Sequence, residues 1–170
     1  PCSASARLSF SLRVDHFSFF FEFSDPWVFS QLCPGKNRTV GQISVVEALA
    51  YTVKKLGKGR VACEIIAGVA PLEATRHAID RIVDCGAFPT VCIFRPVIGG
   101  EMGEVPPPDP ENMKAVMAYQ YDACRRAGIP IGVLPNIEVS LVVQPEEGRD
   151  LAPPPRGLDW YEMKLALMRA

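Results

Sequence analysis

A chain of 170 residues with 48% hydrophobic and 22% charged residues is long enough to bury a core and has the composition of a globular domain. Its formal net charge of −1 gives no electrostatic basis for binding nucleic acid, and no apolar run approaches the roughly 20 residues of a membrane span. We therefore expect a cytoplasmic protein without a nucleic-acid or membrane partner.

The first 40 residues differ in composition from the rest of the chain. Seven of the nine phenylalanines lie between Phe10 and Phe29, and four of them alternate with other residues: Phe17, Phe19, Phe21 and Phe23. Alternation of this kind is typical of a strand with one apolar face, although Phe20 falls on the other face. No motif accompanies it. We interpret residues 1–40 as an atypical leader, either foreign to the domain or adding one edge strand to it.

Regular alternation of predicted helices and strands begins near residue 41. Residues 45–56 have helical spacing, Ser44 is a candidate cap, and two glycines follow. The β-branched run 60–69 predicts a strand buried on both faces. Pro71 opens a second predicted helix, which Gly86 ends. Residues 88–98 predict a second strand.

The pattern continues through the C-terminal half. Asp109 is the predicted cap of a third helix that ends at Gly128, and residues 129–143 predict one long strand or two short ones. Residues 144–157 have the composition of a linker, and residues 159–170 predict a short helix. This order predicts an α/β fold with parallel strands and three to four β/α units, either a doubly wound sheet or a partial barrel. No G-x-G-x-x-G or G-K-[ST] nucleotide motif follows a strand.

Candidate site residues follow the predicted strands, where parallel β/α folds bind ligands. Gly68 allows a close backbone approach or a tight turn, and Glu73 suits either a ligand or the dipole of its helix. Arg95 falls near the end of an otherwise apolar predicted strand, where an unpaired charge is costly, so it needs a carboxylate partner or an anionic ligand. Asn136 and Glu138 lie in a similar position after the third predicted strand. Their recurrence at one end of successive strands favours a site there.

The six cysteines form no metal-binding motif. The nearest pair, Cys85 and Cys92, is seven residues apart, and neither C-x-x-C nor C-x-x-x-C-x-x-C occurs. Zinc sites and iron–sulfur clusters usually take two or more ligands from one tight loop. Dispersed cysteines are more often small buried hydrophobic residues. We expect reduced thiols and no metal site formed by this chain alone.

Three segments of the chain resemble segments of one known protein family, and they follow each other in the same order as in that family. They are residues 66–75 (IAGVAPLEAT), residues 94–100 (FRPVIGG) with the following 106–113 (PPPDPENM), and residues 135–141 (PNIEVSL). Together they make residues 41–151 resemble the C-terminal half of the barrel of radical S-adenosylmethionine (SAM) proteins of the biotin-synthase-like type. Residues 152–170 would then be a Pro-rich linker and a short C-terminal helix.

The resemblance implies a partial (β/α) barrel that, in the intact parent, holds SAM against a [4Fe-4S] cluster and cleaves it reductively beside a small-molecule substrate. It implies SAM contacts from Ile66, Gly68, Glu73, Arg95 and Pro96, and SAM or substrate contacts from Asn136 and Glu138. The family's C-x-x-x-C-x-x-C loop is absent from this sequence. We therefore expect an inactive fragment that holds neither cofactor well.

One alternative to a radical SAM fragment remains open from the sequence, and a second is set aside. A non-catalytic β/α module with a structural or partner-binding role fits the same element order. A barrel lyase or aldolase would need a lysine at a strand end, and no predicted strand end has one. An incomplete barrel exposes sheet edges, so self-association is also expected.

Overall fold

The computed structural model describes residues 15–133, 141–155 and 157–170. Within these ranges one sheet contains four strands in the order β1 (Phe17–Glu22), β2 (Val61–Ala67), β3 (Phe88–Ile93) and β4 (Val142–Val143). The first three strands are parallel, and β4 runs antiparallel to β3. The predicted α/β class with a mostly parallel sheet is confirmed.

Six α-helices and one 3-10 helix accompany the sheet in the described ranges. They are α1 (Pro26–Leu32), α2 (Pro34–Thr39), α3 (Gly41–Leu56), α4 (Leu72–Asp84), α5 (Pro110–Ala127), the 3-10 helix Pro145–Leu151, and α6 (Trp160–Arg169). No helix in this part of the chain combines the length and apolar character needed to cross a bilayer.

The predicted helix ends are largely confirmed. The Asp109 carboxylate accepts a hydrogen bond from the Glu111 backbone N–H at 3.2 Å, and Gly128 ends α5 with φ of 62°. The prediction that Ser44 caps α3 is wrong, because the helix already begins at Gly41. Val40, between α2 and α3, keeps a helical backbone, so the chain enters α3 without a capping side chain.

Three predicted segments differ from the structure. β3 ends at Ile93 rather than residue 98, and Pro96, which lacks an N–H group, lies beyond the ladder. In segment 129–143 the described strand residues are Val142–Val143, which run antiparallel, whereas Pro130 and Gly132 interrupt the earlier apolar run. The predicted linker 144–157 contains the 3-10 helix, whose Gly148 lies directly against the Met117 backbone carbonyl of α5.

The main core lies on one face of the sheet. Side chains of a strand alternate between faces, so Phe17, Phe19 and Phe21 of β1 share this face. Phe21 is 1% exposed. It belongs to the same apolar cluster as residues from β2, β3, α3, α4 and α5, among them Cys63, Ile65, Val91, Val45, Leu49, Ile79, Ile82 and Val116. The helices α3, α4 and α5 therefore contribute to one core on one side of the sheet.

A second apolar cluster holds the C-terminal helix in place. It joins Ala62 and Phe88 to residues from α5, the segment after it and α6, namely Tyr121, Cys124, Ile129, Ile131 and Leu165. The Tyr161 hydroxyl donates to the Ile129 carbonyl at 2.6 Å, and the Arg169 guanidinium donates to the carbonyls of Ile131 and Gly132. These bonds fix residues 129–132 against α6.

A buried glutamine connects α5 to the sheet. The Gln120 side chain is fully buried, and its amide nitrogen donates to the Pro89 carbonyl at 2.8 Å and the Val143 carbonyl at 3.1 Å. A buried polar side chain needs such partners to offset its loss of water. Because Pro89 and Val143 lie on adjacent strands, one side chain ties β3 and β4 together beneath α5.

Candidate functional site

The sheet face opposite the main core carries the candidate site. We call it the cleft face; its side chains are Ser18 and Phe20 of β1, Ala62, Glu64 and Ile66 of β2, and Phe88, Thr90 and Cys92 of β3, by alternation along each strand. The register pairs Phe20 with Glu64 and Glu64 with Thr90. These three side chains therefore form one row across the sheet, with Ser18, Ala62 and Phe88 in the row below.

A cleft of about 370 Å³ opens on this face. Volumes of about 300–1,000 Å³ are typical of small-molecule sites. Ala62 and Ser18 are short, which leaves space between the larger side chains of the neighbouring rows. Among the described residues, the lining consists of His16, Ser18, Phe20, Ala62, Glu64, Phe88, Thr90, Cys92, Leu141, Val142 and Gln144. The cleft is mostly apolar with a few polar groups, as ligand sites usually are.

Glu64 is the carboxylate of the cleft. No hydrogen bond or ion pair joins it to another residue in the described ranges, and its side chain is half-buried. Burial, and to a lesser degree the charge of Glu22, raise the pKa of Glu64, while Lys36 opposes the rise. Lys36 itself is engaged by Glu22, with 2.9 Å between Nζ and Oε1. A carboxylate that loses water without gaining a cationic partner is held at a cost in stability.

The raised pKa predicts a pH-dependent stability difference between the wild type and Glu64→Gln. A carboxyl group whose pKa is higher in the folded protein favours folding below its unfolded value, 4.5, and this contribution is lost as the pH rises through the folded pKa. We expect Glu64→Gln and wild type to be about equally stable near pH 4, and the variant to be more stable at pH 7. Urea unfolding across this range measures the difference, and a difference independent of pH would contradict the prediction.

His16 is the second titratable side chain of the cleft. Its Nδ1 atom is buried without a hydrogen-bond partner among the described residues, and its ring lies 5.7 Å from the Phe88 ring, centroid to centroid. Burial lowers the pKa of His16, so the ring is favoured in its neutral form. The cleft thus has an imidazole favoured in its neutral form near its amino end and a carboxylate in its middle row, beside the uncharged polar side chains of Ser18, Thr90 and Gln144.

The carboxyl ends of β2 and β3, where the sequence predicts SAM contacts, contain a smaller cleft. Its volume is about 170 Å³, and its lining includes Gly68, Pro71, Thr75, Pro108 and Met113. Gly68 has φ of 98°, and a side-chain Cβ at this position would collide with the Pro108 ring. Both alternatives for this glycine are therefore present: a positive φ in the strand-to-helix turn and a close approach by the Pro-rich crossover.

The other predicted site residues lie around this end of the sheet. Ile66 is half-buried on the cleft face, and Pro96 is half-buried beyond β3. Glu73 is largely exposed in the first turn of α4 and forms an ion pair with Arg76 at 2.7 Å. Arg95 is exposed and donates to the Leu141 carbonyl over 3.5 Å, so it does not occupy a buried strand end. Asn136 and Glu138 lie outside the described residues.

The described cysteines do not fit an iron–sulfur cluster. No three His, Cys, Asp or Glu side chains in the described ranges come together as metal ligands. Cys63 and Cys124 are fully buried, and burial raises the pKa of both thiols. Thiolates are the ligands of such clusters, and burial favours the protonated form of these two thiols.

Sequence reasoning identified the carboxyl ends of the strands but missed the cleft face. Glu64 could have been recognised as a candidate from the sequence, because it is the one charged residue inside the apolar strand β2. His16 could not be found in this way, because its position depends on β1 pairing with β2 and bringing residue 16 beside Phe88.

Comparison with known proteins finds a similarity that covers part of the chain. No protein-family model matches the chain, and no solved structure matches it. The bacteriochlorophyllide c C-7(1)-hydroxylase of Chlorobaculum limnaeum is 30% identical over 92 residues, which cover 54% of this chain and 23% of the hydroxylase. The chain is therefore similar, over about half its length, to a segment of a much longer enzyme.

Proposed function

We propose that this chain is part of the β/α barrel of a radical SAM enzyme and corresponds to the C-terminal half of that barrel. The observation that supports it best is the unequal covering of the sheet. Residues of α3, α4 and α5 join the main core on one face of β1, β2 and β3. On the opposite face the second apolar cluster covers Ala62 and Phe88 at the amino ends of β2 and β3, and the middle of the face carries a cleft. A doubly wound sheet has helices on both faces, but a barrel has them on the outside only.

The similarity to the hydroxylase supports the same proposal. That protein is a radical SAM enzyme, so the partial match supports a relationship to the radical SAM superfamily. Reductive cleavage of SAM, a [4Fe-4S] cluster and a small-molecule substrate are then properties proposed for the intact parent. In this arrangement the cleft face becomes part of the barrel interior.

In this proposal the residues at the carboxyl ends of β2 and β3 would form one part of a SAM site. Ile66 and Gly68 would border the adenosine, Glu73 and Arg95 stand exposed at the same end, and Pro96 lies next to Arg95. The cleft beside Gly68, at about 170 Å³, is smaller than the volumes typical of whole ligands. SAM, when bound, would supply the adenosyl group for the radical chemistry of the parent enzyme. The other residues that contact SAM would come from parts of the parent outside this chain.

The genomic sequence that precedes the codon for Gly41 tests this proposal. We expect the parent gene to encode C-x-x-x-C-x-x-C and further β/α units on the 5′ side of that codon. The cluster ligands must come from there, since this chain has no such motif. A gene without that motif upstream would contradict the proposal and favour a non-catalytic β/α module.

A further inference from the structure

We propose that the cleft face binds an apolar organic molecule carrying a protonated amine, with Glu64 as the carboxylate that pairs with it. This inference concerns a different part of the sheet from the SAM contacts at Gly68, and it does not depend on the radical SAM assignment. It rests on the charge, the walls and the size of the cleft.

Among the described residues, the cleft lining contains one carboxylate, Glu64, and no lysine or arginine. Glu64 has no ion-pair partner in the described ranges, and the nearby Lys36 is already engaged by Glu22 at 2.9 Å and by the Phe20 carbonyl at 2.6 Å. Half-buried carboxylates are stabilised by a cation that lies within ion-pair distance. An ammonium group in the cleft would give Glu64 an ion-pair partner that no described residue provides, whereas a carboxylate or phosphate would be repelled.

The walls of the cleft suit an apolar ring. Phe20, which shares the row of Glu64, is 51% exposed, and Phe88 and Ala62 form the row below. The Lys36 ammonium already lies 5.6 Å from the centroid of the Phe20 ring, so Phe20 would contact the apolar ring of such a ligand rather than its ammonium group. Leu141 and Val142 add an apolar wall on the β4 side.

The other titratable groups of the described lining, His16 and Cys92, do not oppose a cation. Burial raises the pKa of the Cys92 thiol and so favours its uncharged form. Burial lowers the pKa of His16 and favours its uncharged form, and its Nδ1 atom has no hydrogen-bond partner in the described part of the chain. A second polar atom of the ligand could bond there. The volume of about 370 Å³ accommodates a one- or two-ring molecule with a short amine arm.

Three indole compounds of similar size test the charge preference by isothermal titration calorimetry. They are tryptamine, which is cationic at neutral pH, tryptophol, which is neutral, and indole-3-acetate, which is anionic. For the wild-type chain we expect tryptamine to bind at least about tenfold more tightly than tryptophol, with indole-3-acetate weakest. Equal affinity for tryptamine and tryptophol, or no tryptamine binding up to about 10 mM, would overturn the proposal.

Two variants assign the effect to the cleft. Glu64→Gln should weaken tryptamine binding by at least about tenfold and leave tryptophol binding unchanged. Glu47→Gln makes the same charge change at an exposed position of α3 and should change the affinity for neither compound. Ser18→Leu should fill the cleft and weaken both ligands. Thermal unfolding of each variant confirms that it is folded. Tryptamine binding that survives Glu64→Gln in a folded protein refutes the role of Glu64.

Discussion

Phe21→Ala is expected to lower the free energy of unfolding by about 3–5 kcal/mol, the range for removing a buried aromatic side chain. Phe21 is 1% exposed and packs in the main core with residues of β2 and the helices. Its removal leaves a cavity beneath β1 that the backbone ladder to β2 prevents from closing fully. Urea unfolding followed by circular dichroism measures the change.

Phe20→Ala is the matched control for this prediction. Phe20 is the next residue on the same strand, but it is 51% exposed and lies on the cleft face. We expect its removal to cost about 1 kcal/mol or less, because little apolar surface leaves the core. If the two variants are equally stable, β1 does not pack against the domain as described, and the Phe-rich segment is not part of the folded unit.

Gly68→Ala is expected to lower the free energy of unfolding by about 2–5 kcal/mol. A positive φ costs a residue with a Cβ about 1–2 kcal/mol, and overpacking costs about 1–3 kcal/mol more. Both apply at Gly68, which has φ of 98° and lies against the Pro108 ring. The turn between β2 and α4 and the Pro-rich crossover would have to separate.

Gly35→Ala provides the comparison for this second prediction. Gly35 lies in α2, and a Cβ there would meet nothing within 4 Å. Alanine at such a helical position is expected to stabilise the protein by about 0.5–1 kcal/mol. A similar loss of stability in both glycine variants would show that Gly68 is not specifically constrained. Chemical denaturation of the two variants in parallel distinguishes these results.

The order of the helices and parallel strands could be predicted because their signals are local. Apolar spacing defines α4 and α5, and Pro71, Gly86, Asp109 and Gly128 mark their ends. The alternating phenylalanines also indicated a strand. Its parallel pairing with β2 was not predictable, since pairing depends on contacts between residues about 44 positions apart, such as Phe17 with Val61.

The candidate site was less predictable than the fold. Gly68 could be singled out because glycine has few reasons to follow a strand, and the structure gives it a positive φ and a close approach to Pro108. Its contact with SAM stays a prediction. The cleft face was missed because it is formed by side chains from three strands whose register brings Phe20, Glu64 and Thr90 into one row. The interpretation of Arg95 assumed that β3 continues past Ile93, which it does not.

Anaerobic iron–sulfide reconstitution of this chain, followed by visible absorbance and by EPR with and without SAM, tests the central claim most directly. The claim is that the chain supplies part of the barrel but not the cluster ligands. We predict no stoichiometric [4Fe-4S] signal, because the cysteines have no cluster motif and the described ones do not converge. A stoichiometric cluster whose EPR spectrum changes when SAM is added would contradict that claim.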